Sequence, residues 1–299
     1  MKKLSLIILS LLFTGFTFAQ NSVRISKLNA VRFTQLSKKG NPIIFLPHIG
    51  CSSEMWKEVA AHYQQTNAVY LADFAGFNGE TPIKSAFSDS YVGDIQQFIK
   101  NNKLKNVILV GQNYGAFVAV KTAQDKDLKI KAIVVSDFYP KLSMVLSPDI
   151  TAEQLEQMTS GIRKGTLGMD AEAFAATQKQ TAEMMNFTKP EDVAKFVEWQ
   201  RKSDRNTLAE TLCEQFSTDL RPMLETNKIP ILVFTTWYFA KNHKNMPISE
   251  ADKKLKEMYG NTPNVTHAVT EEAKDFMASD QPQWFITEMD KFLKPIVGK

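Results

Sequence analysis

The chain is poor in several features that would narrow its role at once. It has two cysteines and four histidines in 299 residues. Two cysteines can form at most the single bridge Cys51–Cys213, so a disulfide-built scaffold is excluded, and two separate buried thiols are the simpler alternative. No pair of histidines stands in an HxH or HxxxH spacing, so the sequence carries no metal-site motif. The formal net charge is only +4, which gives no electrostatic footprint for nucleic acid. No apolar run reaches the ~20 residues that a membrane-spanning helix requires, and no low-complexity tract interrupts the chain. What remains is an ordinary globular composition, 43% hydrophobic and 23% charged. It fits one large domain, or a domain with a sizeable insertion, around a packed core.

The first residues read as an export signal. "MKK" is basic, "LSLIILSLLFTGF" is apolar, and "TFAQ" offers a small residue at Ala19. Residues 1–19 are therefore expected to be removed, with the mature chain starting at Gln20. Loss of Lys2 and Lys3 lowers the charge from +4 to +2. No cysteine follows the cleavage point, so no lipid anchor is expected. The expected location is the periplasm of a Gram-negative bacterium, or the exterior.

Beyond the signal, apolar runs alternate with amphipathic segments. "NPIIFLPHIG" (41–50), "NAVYLADF" (67–74), "NVILVGQ" (106–112), "IKAIVVSDFYP" (130–140), "KIPILVFTTW" (228–237) and "NVTHAVT" (264–270) read as buried strands. Helices are expected between them, because near-continuous apolar strands alternating with helices indicate a parallel sheet covered on both faces. The alternation stops between Ser143 and Thr226, where "TAEQLEQMTSGI", "DAEAFAATQKQTAEMM", "PEDVAKFVEWQRK" and "RNTLAETLCEQF" read as helices. The expected fold class is α/β. Residues 20–142 and 227–299 form the core, and 143–226 form a helical cap inserted before the last two strands. Met144, Met158, Met169, Met184 and Met185 fall in or near the insertion. They suit either an adaptable pocket roof or the insertion's own core.

"VILVGQNYGAFVAV" (107–120) is an apolar strand, a turn bounded by Gly111 and Gly115, and a small-residue helix. That outline is a nucleophile elbow, with Asn113 where the nucleophile belongs. In this setting the chain resembles the α/β-hydrolase family, in particular its exported bacterial members with a helical cap. "IIFLPHIGCSSEMWKEVAAHY", "YLADFAGFNGETP", "STDLRPMLETNKIPILVF" and "FMASDQPQWFITEMDKFL" carry the resemblance over most of the mature chain. Trp56, Asp73, Gly76, Gly111, Gly115, Pro282 and Trp284 match the family's framework.

The chemistry does not match. The resemblance implies Ser at Asn113, His at Gln112, Gly at His48 and the catalytic His at Asp275. It places the triad acid at Asp137 and the oxyanion-hole donors at the N–H groups of Ile49 and Tyr114. An amide nitrogen is delocalised and a poor nucleophile, and Asp275 cannot take the proton that a catalytic His takes. Three other chemistries remain open from the residues. In the first, Asn113 is a precursor of aspartate, the nucleophile type of haloalkane dehalogenases of this fold, although those need a His to activate water. Cys51 with His48 as base would make a thiol nucleophile. His48, Asp137, Asp275 and His243 are residue types that bind zinc or iron, without a supporting spacing. His62 is expected on a helix surface and His267 in the last strand. His48, Cys51, Gln112, Trp237 and Tyr238 are expected to line a pocket, because ligands of parallel sheets bind at the strands' C-terminal ends.

The sequence thus favours a protein with a degenerate triad that binds a small, partly apolar ligand or a partner, with no cofactor, metal or nucleic acid. The alternative is an active hydrolase of an ester, amide or related bond through a non-standard site.

Overall fold

The computed structural model describes residues 24–145, 147 and 149–297. The expected export signal, 1–19, lies outside them. The described residues form an eight-stranded sheet: β1 (Arg24–Lys27), β2 (Val31–Gln35), β3 (Pro42–Leu46), β4 (Ala68–Phe74), β5 (Val107–Gln112), β6 (Ile130–Ser136), β7 (Ile231–Thr236) and β8 (Val265–Thr270). Their spatial order is β1-β2-β4-β3-β5-β6-β7-β8. The six strands expected from sequence run parallel, and β1 and β2 add an antiparallel edge. That edge escaped the sequence reading because β1 is short and β2 is only half apolar (VRFTQ), a weak signal beside the apolar runs of the parallel strands.

The central parallel strands β3, β4 and β5 are buried along their whole length because helices cover both faces. All five residues of β3 and all seven of β4 are buried. Their side chains alternate between two cores. Ile44, Leu46 and Leu109 pack with Tyr91 and Ile95 of α2 (Phe87–Asn101) and Phe117 of α3 (Tyr114–Thr122). Ile43, Phe45, Ile108 and Val110 meet Trp56, which precedes α1 (Lys57–Tyr63), and Phe285 of the C-terminal helix Pro282–Val297. The Trp56 indole N–H donates to the Leu46 carbonyl at 3.0 Å, and Asp73 accepts from the Ser53 N–H at 2.7 Å and from Arg32 at 2.9 Å. These bonds fix the loop after β3.

Between β6 and β7 the chain forms α4 (Ala152–Gly168), α5 (Ala171–Thr181), α6 (Pro190–Lys202), α7 (Arg205–Ser217) and α8 (Arg221–Glu225). Local chemistry sets their starts. Thr151 and Gln154 make a capping box, Asp170 and Asp204 cap α5 and α7, and Pro190 opens α6. Arg163 and Glu210 join α4 to α7 through bonds of 2.7 and 2.9 Å. Three polar contacts tie the insertion to the loops below it. Gln200 donates to the Ile49 carbonyl, Ser203 to the Gly50 carbonyl, and the Asp204 N–H to the Gly76 carbonyl. Gly76, at φ +82°, has no room for a Cβ, which would lie 2.4 Å from Thr207 Oγ1. Met169 and Met184 are exposed, so neither belongs to an insertion core. The remaining helices are α9 (Tyr238–Lys244), α10 (Ala251–Tyr259), α11 (Met277–Asp280) and α12 (Pro282–Val297).

Candidate functional site

β5 delivers the centre of the site. At its end the chain turns through Asn113, at φ 50° and ψ −111°, into α3. Gly111 and Gly115 allow that turn through close approach. A Cβ on Gly111 would lie 2.4 Å from the Gly115 carbonyl carbon, and one on Gly115 would lie 2.5 Å from the Leu46 carbonyl oxygen. Strand and helix therefore meet backbone to backbone, and the side chain at the tip is forced outward.

That side chain is engaged at both ends. Asn113 Nδ2 donates to Asp137 Oδ2 at 3.1 Å, and Asn113 Oδ1 accepts from the Tyr114 N–H at 2.9 Å. The second bond changes the expected role of Tyr114. Its N–H is already held by the neighbouring amide and is not available to a developing oxyanion. The Tyr114 phenol is wholly buried and donates to Glu214 Oε2 on α7 at 2.8 Å. The Ile49 N–H has no acceptor among the described residues, while the Ile49 carbonyl accepts from Gln200 Nε2 and His48 Nδ1, each at 2.9 Å. Tyr114→Phe removes a charge-assisted hydrogen bond between α3 and the insertion and should cost about 1–2 kcal/mol in denaturant unfolding.

The structure brings Asp137 and Asp275 together. Asp137 follows β6 at φ 47°, and Asp275 lies in the segment before α11. The Asp275 N–H donates to the Met185 carbonyl at 3.0 Å, and the Asp275 carbonyl accepts from Gln112 Nε2 at 3.2 Å. Asp137 and Asp275 are both half-buried. Burial pushes Asp137 up to about 7, against the stabilising amide of Asn113. Burial, and then the Asp137 charge, push Asp275 well above the usual carboxylate range. Burial and both carboxylates also raise the Tyr139 phenol. Burial disfavours the ionised form of both carboxyls, and a charge on Asp137 disfavours it further at Asp275.

His48 is buried and packs against Phe276, with ring centroids 4.9 Å apart. Burial lowers it to about 4, so the ring is neutral at pH 7. With Nδ1–H assigned to the Ile49 carbonyl, that nitrogen cannot also accept from Cys51 Sγ, 3.8 Å away. Burial raises the Cys51 thiol, and the side chain has no accessible surface. This geometry disfavours Cys51 as a nucleophile, which would need an exposed thiolate. Cys51 and Cys213 are both free and buried. A thiol reagent should therefore label neither quickly in the folded protein and both in denaturant, as read by mass; fast native labelling at Cys51 would reopen thiol chemistry.

The other expected residues are scattered. Trp237 is buried, and its indole N–H donates to the Met246 carbonyl at 3.0 Å. Tyr238 is half-buried, with Lys274 Nζ 5.4 Å from its ring centroid, so it stands beside the Asp275 segment. His243 is exposed and stacks on Phe239. Among the described residues no three His, Cys, Asp or Glu side chains converge as a metal site. His62 lies on the surface of α1, 3.2 Å from Asp290. Tyr139 and Glu214 join the site although the sequence reading passed over them. Tyr139 stands two residues after Asp137, a spacing that carries no signal without the loop's path. Glu214 looks like any helix-surface carboxylate.

A family model described as alpha/beta hydrolase fold matches residues 41–190. The structure is also similar to a hydrolase from Pseudomonas aeruginosa PA01, with a TM-score of 0.70 and 16% identity over 92% of this chain and 99% of that one. An esterase from Exiguobacterium antarcticum matches with a TM-score of 0.70 and 15% identity, over 88% of this chain and 95% of its own. MenH from S. aureus matches with a TM-score of 0.68 and 17% identity, over 90% and 99%. At such identities the likeness concerns the fold alone.

Proposed function

The chain belongs to the alpha/beta hydrolase fold family, and on that premise we propose that it binds a small, partly apolar ligand at the elbow without Ser–His–acid hydrolysis. One observation carries this reading: the Asn113 amide joins Asp137 to the Tyr114 N–H, filling the nucleophile position and occupying an oxyanion donor together. Neither a nucleophile nor a base stands where the resemblance calls for them, and losing both leaves little catalysis. The ligand would enter beneath α4–α7, and the first 19 residues support an exported location, which signal cleavage and cell fractionation would test.

The direct test is a panel of activated short-chain esters. The expected result is turnover indistinguishable from buffer in both the wild type and Asn113→Ala. Turnover abolished by Asn113→Ala would overturn the reading. A second reading, hydrolysis of an ester, amide or related bond through a non-standard site, draws on the raised carboxyls of Asp137 and Asp275, since such a pair can both give and take a proton. It predicts turnover that disappears in Asp137→Asn.

A further inference from the structure

We propose that Asn78–Gly79 is a site of spontaneous deamidation, and that conversion of Asn78 to aspartate or isoaspartate loosens the helical insertion from the core. The site is separate from the elbow and does not depend on what the elbow binds.

Asn–Gly occurs in the chain only at 78–79. The pair sits in the turn after β4. There the Glu80 N–H donates to the Phe77 carbonyl at 2.9 Å and the Gly76 N–H to the Glu80 carbonyl at 3.0 Å. Asn78 is half-buried at φ 42°, and Gly79 is exposed at φ 82°. That left-handed backbone accounts for both residue types. The groups that would react are both unengaged. Among the described residues the Asn78 side-chain amide makes no hydrogen bond, and the Gly79 N–H donates to no acceptor. A Cβ on Gly79 would meet only Lys202 Cβ, at 4.0 Å, so this flank of the turn is open.

The chemistry needs only base and water. The Gly79 amide nitrogen, having lost its proton, attacks the Asn78 side-chain carbonyl carbon. A C–N bond forms, ammonia leaves, and a cyclic succinimide results. Water then opens the ring at either carbonyl. One opening gives aspartate, and the other gives isoaspartate, in which the main chain runs through the former side chain. Glycine favours the attack because no Cβ shields its nitrogen. Other asparagines lack this combination. Asn261 is exposed, but the N–H of the β-branched Thr262 after it is held by the Tyr259 carbonyl at 3.2 Å. Asn113 is blocked more fully, since its amide is bonded to Asp137 and to the Tyr114 N–H.

The turn is also a fastening point of the insertion. The Asn78 N–H donates to Ser203 Oγ at 2.8 Å, and Ser203 Oγ donates to the Gly50 carbonyl at 3.1 Å. The Asp204 N–H donates to the Gly76 carbonyl at 2.8 Å, and the Asp204 carboxylate caps α7. Isoaspartate adds a methylene to the main chain between residue 78 and Gly79. The bonds that close the turn and those that fasten the insertion then cannot all keep their lengths. Aspartate adds a charge two residues before Glu80, which already pairs with Arg32 and Lys27.

The test is incubation of the purified protein at mildly alkaline pH, with peptide mapping over time and hydrogen exchange of the fresh and aged samples. Conversion at Asn78, to both aspartate and isoaspartate, should run about tenfold or more faster than at Asn261, because glycine leaves its nitrogen unshielded. Asn78→Gln should abolish it, since the longer side chain closes its ring far more slowly. In the converted protein, amides at the start of α7 should exchange about threefold or more faster than in fresh protein, while those of β3 to β5 keep their rates. Aged Asn78→Gln protein should match its fresh sample. Conversion at Asn78 no faster than at Asn261 overturns the site. Conversion without faster exchange in α7 overturns the loosening of the insertion, and so does an equal rise in aged Asn78→Gln protein.

Discussion

Asp137→Asn is expected to stabilise the protein by about 2 kcal/mol at pH 8 and to change it little at pH 4. The sign follows from proton binding. Burial raises Asp137 from 3.8 to about 7 in the folded protein, so between those values the native state holds a proton that the unfolded chain releases. Stability from this group is therefore lost as the pH rises from about 4 through 7, and the loss is complete above the folded value. The full shift corresponds to about 4 kcal/mol, and water reaching the half-buried carboxyl reduces it to roughly half. Asn keeps an acceptor for Asn113 Nδ2 but has no charge to bury. Asp275→Asn should act in the same direction, and the double substitution should fall short of additivity because the Asp137 charge is one of the causes that raise Asp275. The wild type alone gives an ambiguous profile, because His48 acts oppositely. Its lowered value, from 6.5 to about 4, means that the unfolded chain binds the extra proton, so acid destabilises through it. The difference between wild type and variant isolates the carboxyl. Denaturant unfolding at pH 4, 6 and 8 is the measurement, and parallel curves for the two proteins would show that Asp137 is not strained by burial.

The second large effect is a gain. Asn113→Ser combined with Asp275→His and Gln112→His should raise hydrolysis of an activated ester about 10³-fold over the wild type, below the ~10⁴–10⁶ that a complete triad can contribute. Each change has a local reason. Serine at the elbow removes the amide that holds the Tyr114 N–H, freeing an oxyanion donor. Histidine at 275 places a base beside Asp137, where a carboxylate can orient it. Histidine at 112 supplies the neighbour that the resemblance implies. Asn113→Ser alone should remain inactive, because no base is present. His48 stands where the family carries glycine and packs against Phe276, so the oxyanion loop keeps part of its altered shape and full activity is not expected. A folded triple variant with no turnover would show that either the matching of these positions to the family's or the acid assignment to Asp137 is wrong.

Much of the fold was legible because its signals are local. The apolar runs of β3 to β7 are long enough to exclude other readings, and Thr151, Asp170, Pro190 and Asp204 mark the helix starts of the insertion residue by residue. β1 and β2 were not legible, since a short antiparallel edge carries few apolar positions. The turn Ala182–Asn186, a single π-helical turn that receives the Asp275 and Phe276 N–H groups, also escaped reading. Its form depends on a segment ninety residues away. Trp237 stands at a strand's C-terminal end, as its place in the sequence implies, while the partner of its indole N–H, the Met246 carbonyl beyond α9, was not legible.

The sequence by itself determined that a nucleophile elbow is present and that its chemical letters are changed, because glycine spacing and residue type are properties of the chain alone. Only the tertiary structure decided what the changed letters do. Asn113 closes on both Asp137 and Tyr114, Cys51 is sealed beside a donor nitrogen, and Asp275 lies within the field of Asp137 although the two are far apart in sequence. Hydrogen-bond direction and the field between charges depend on distances of a few ångströms, and those are set where distant segments meet.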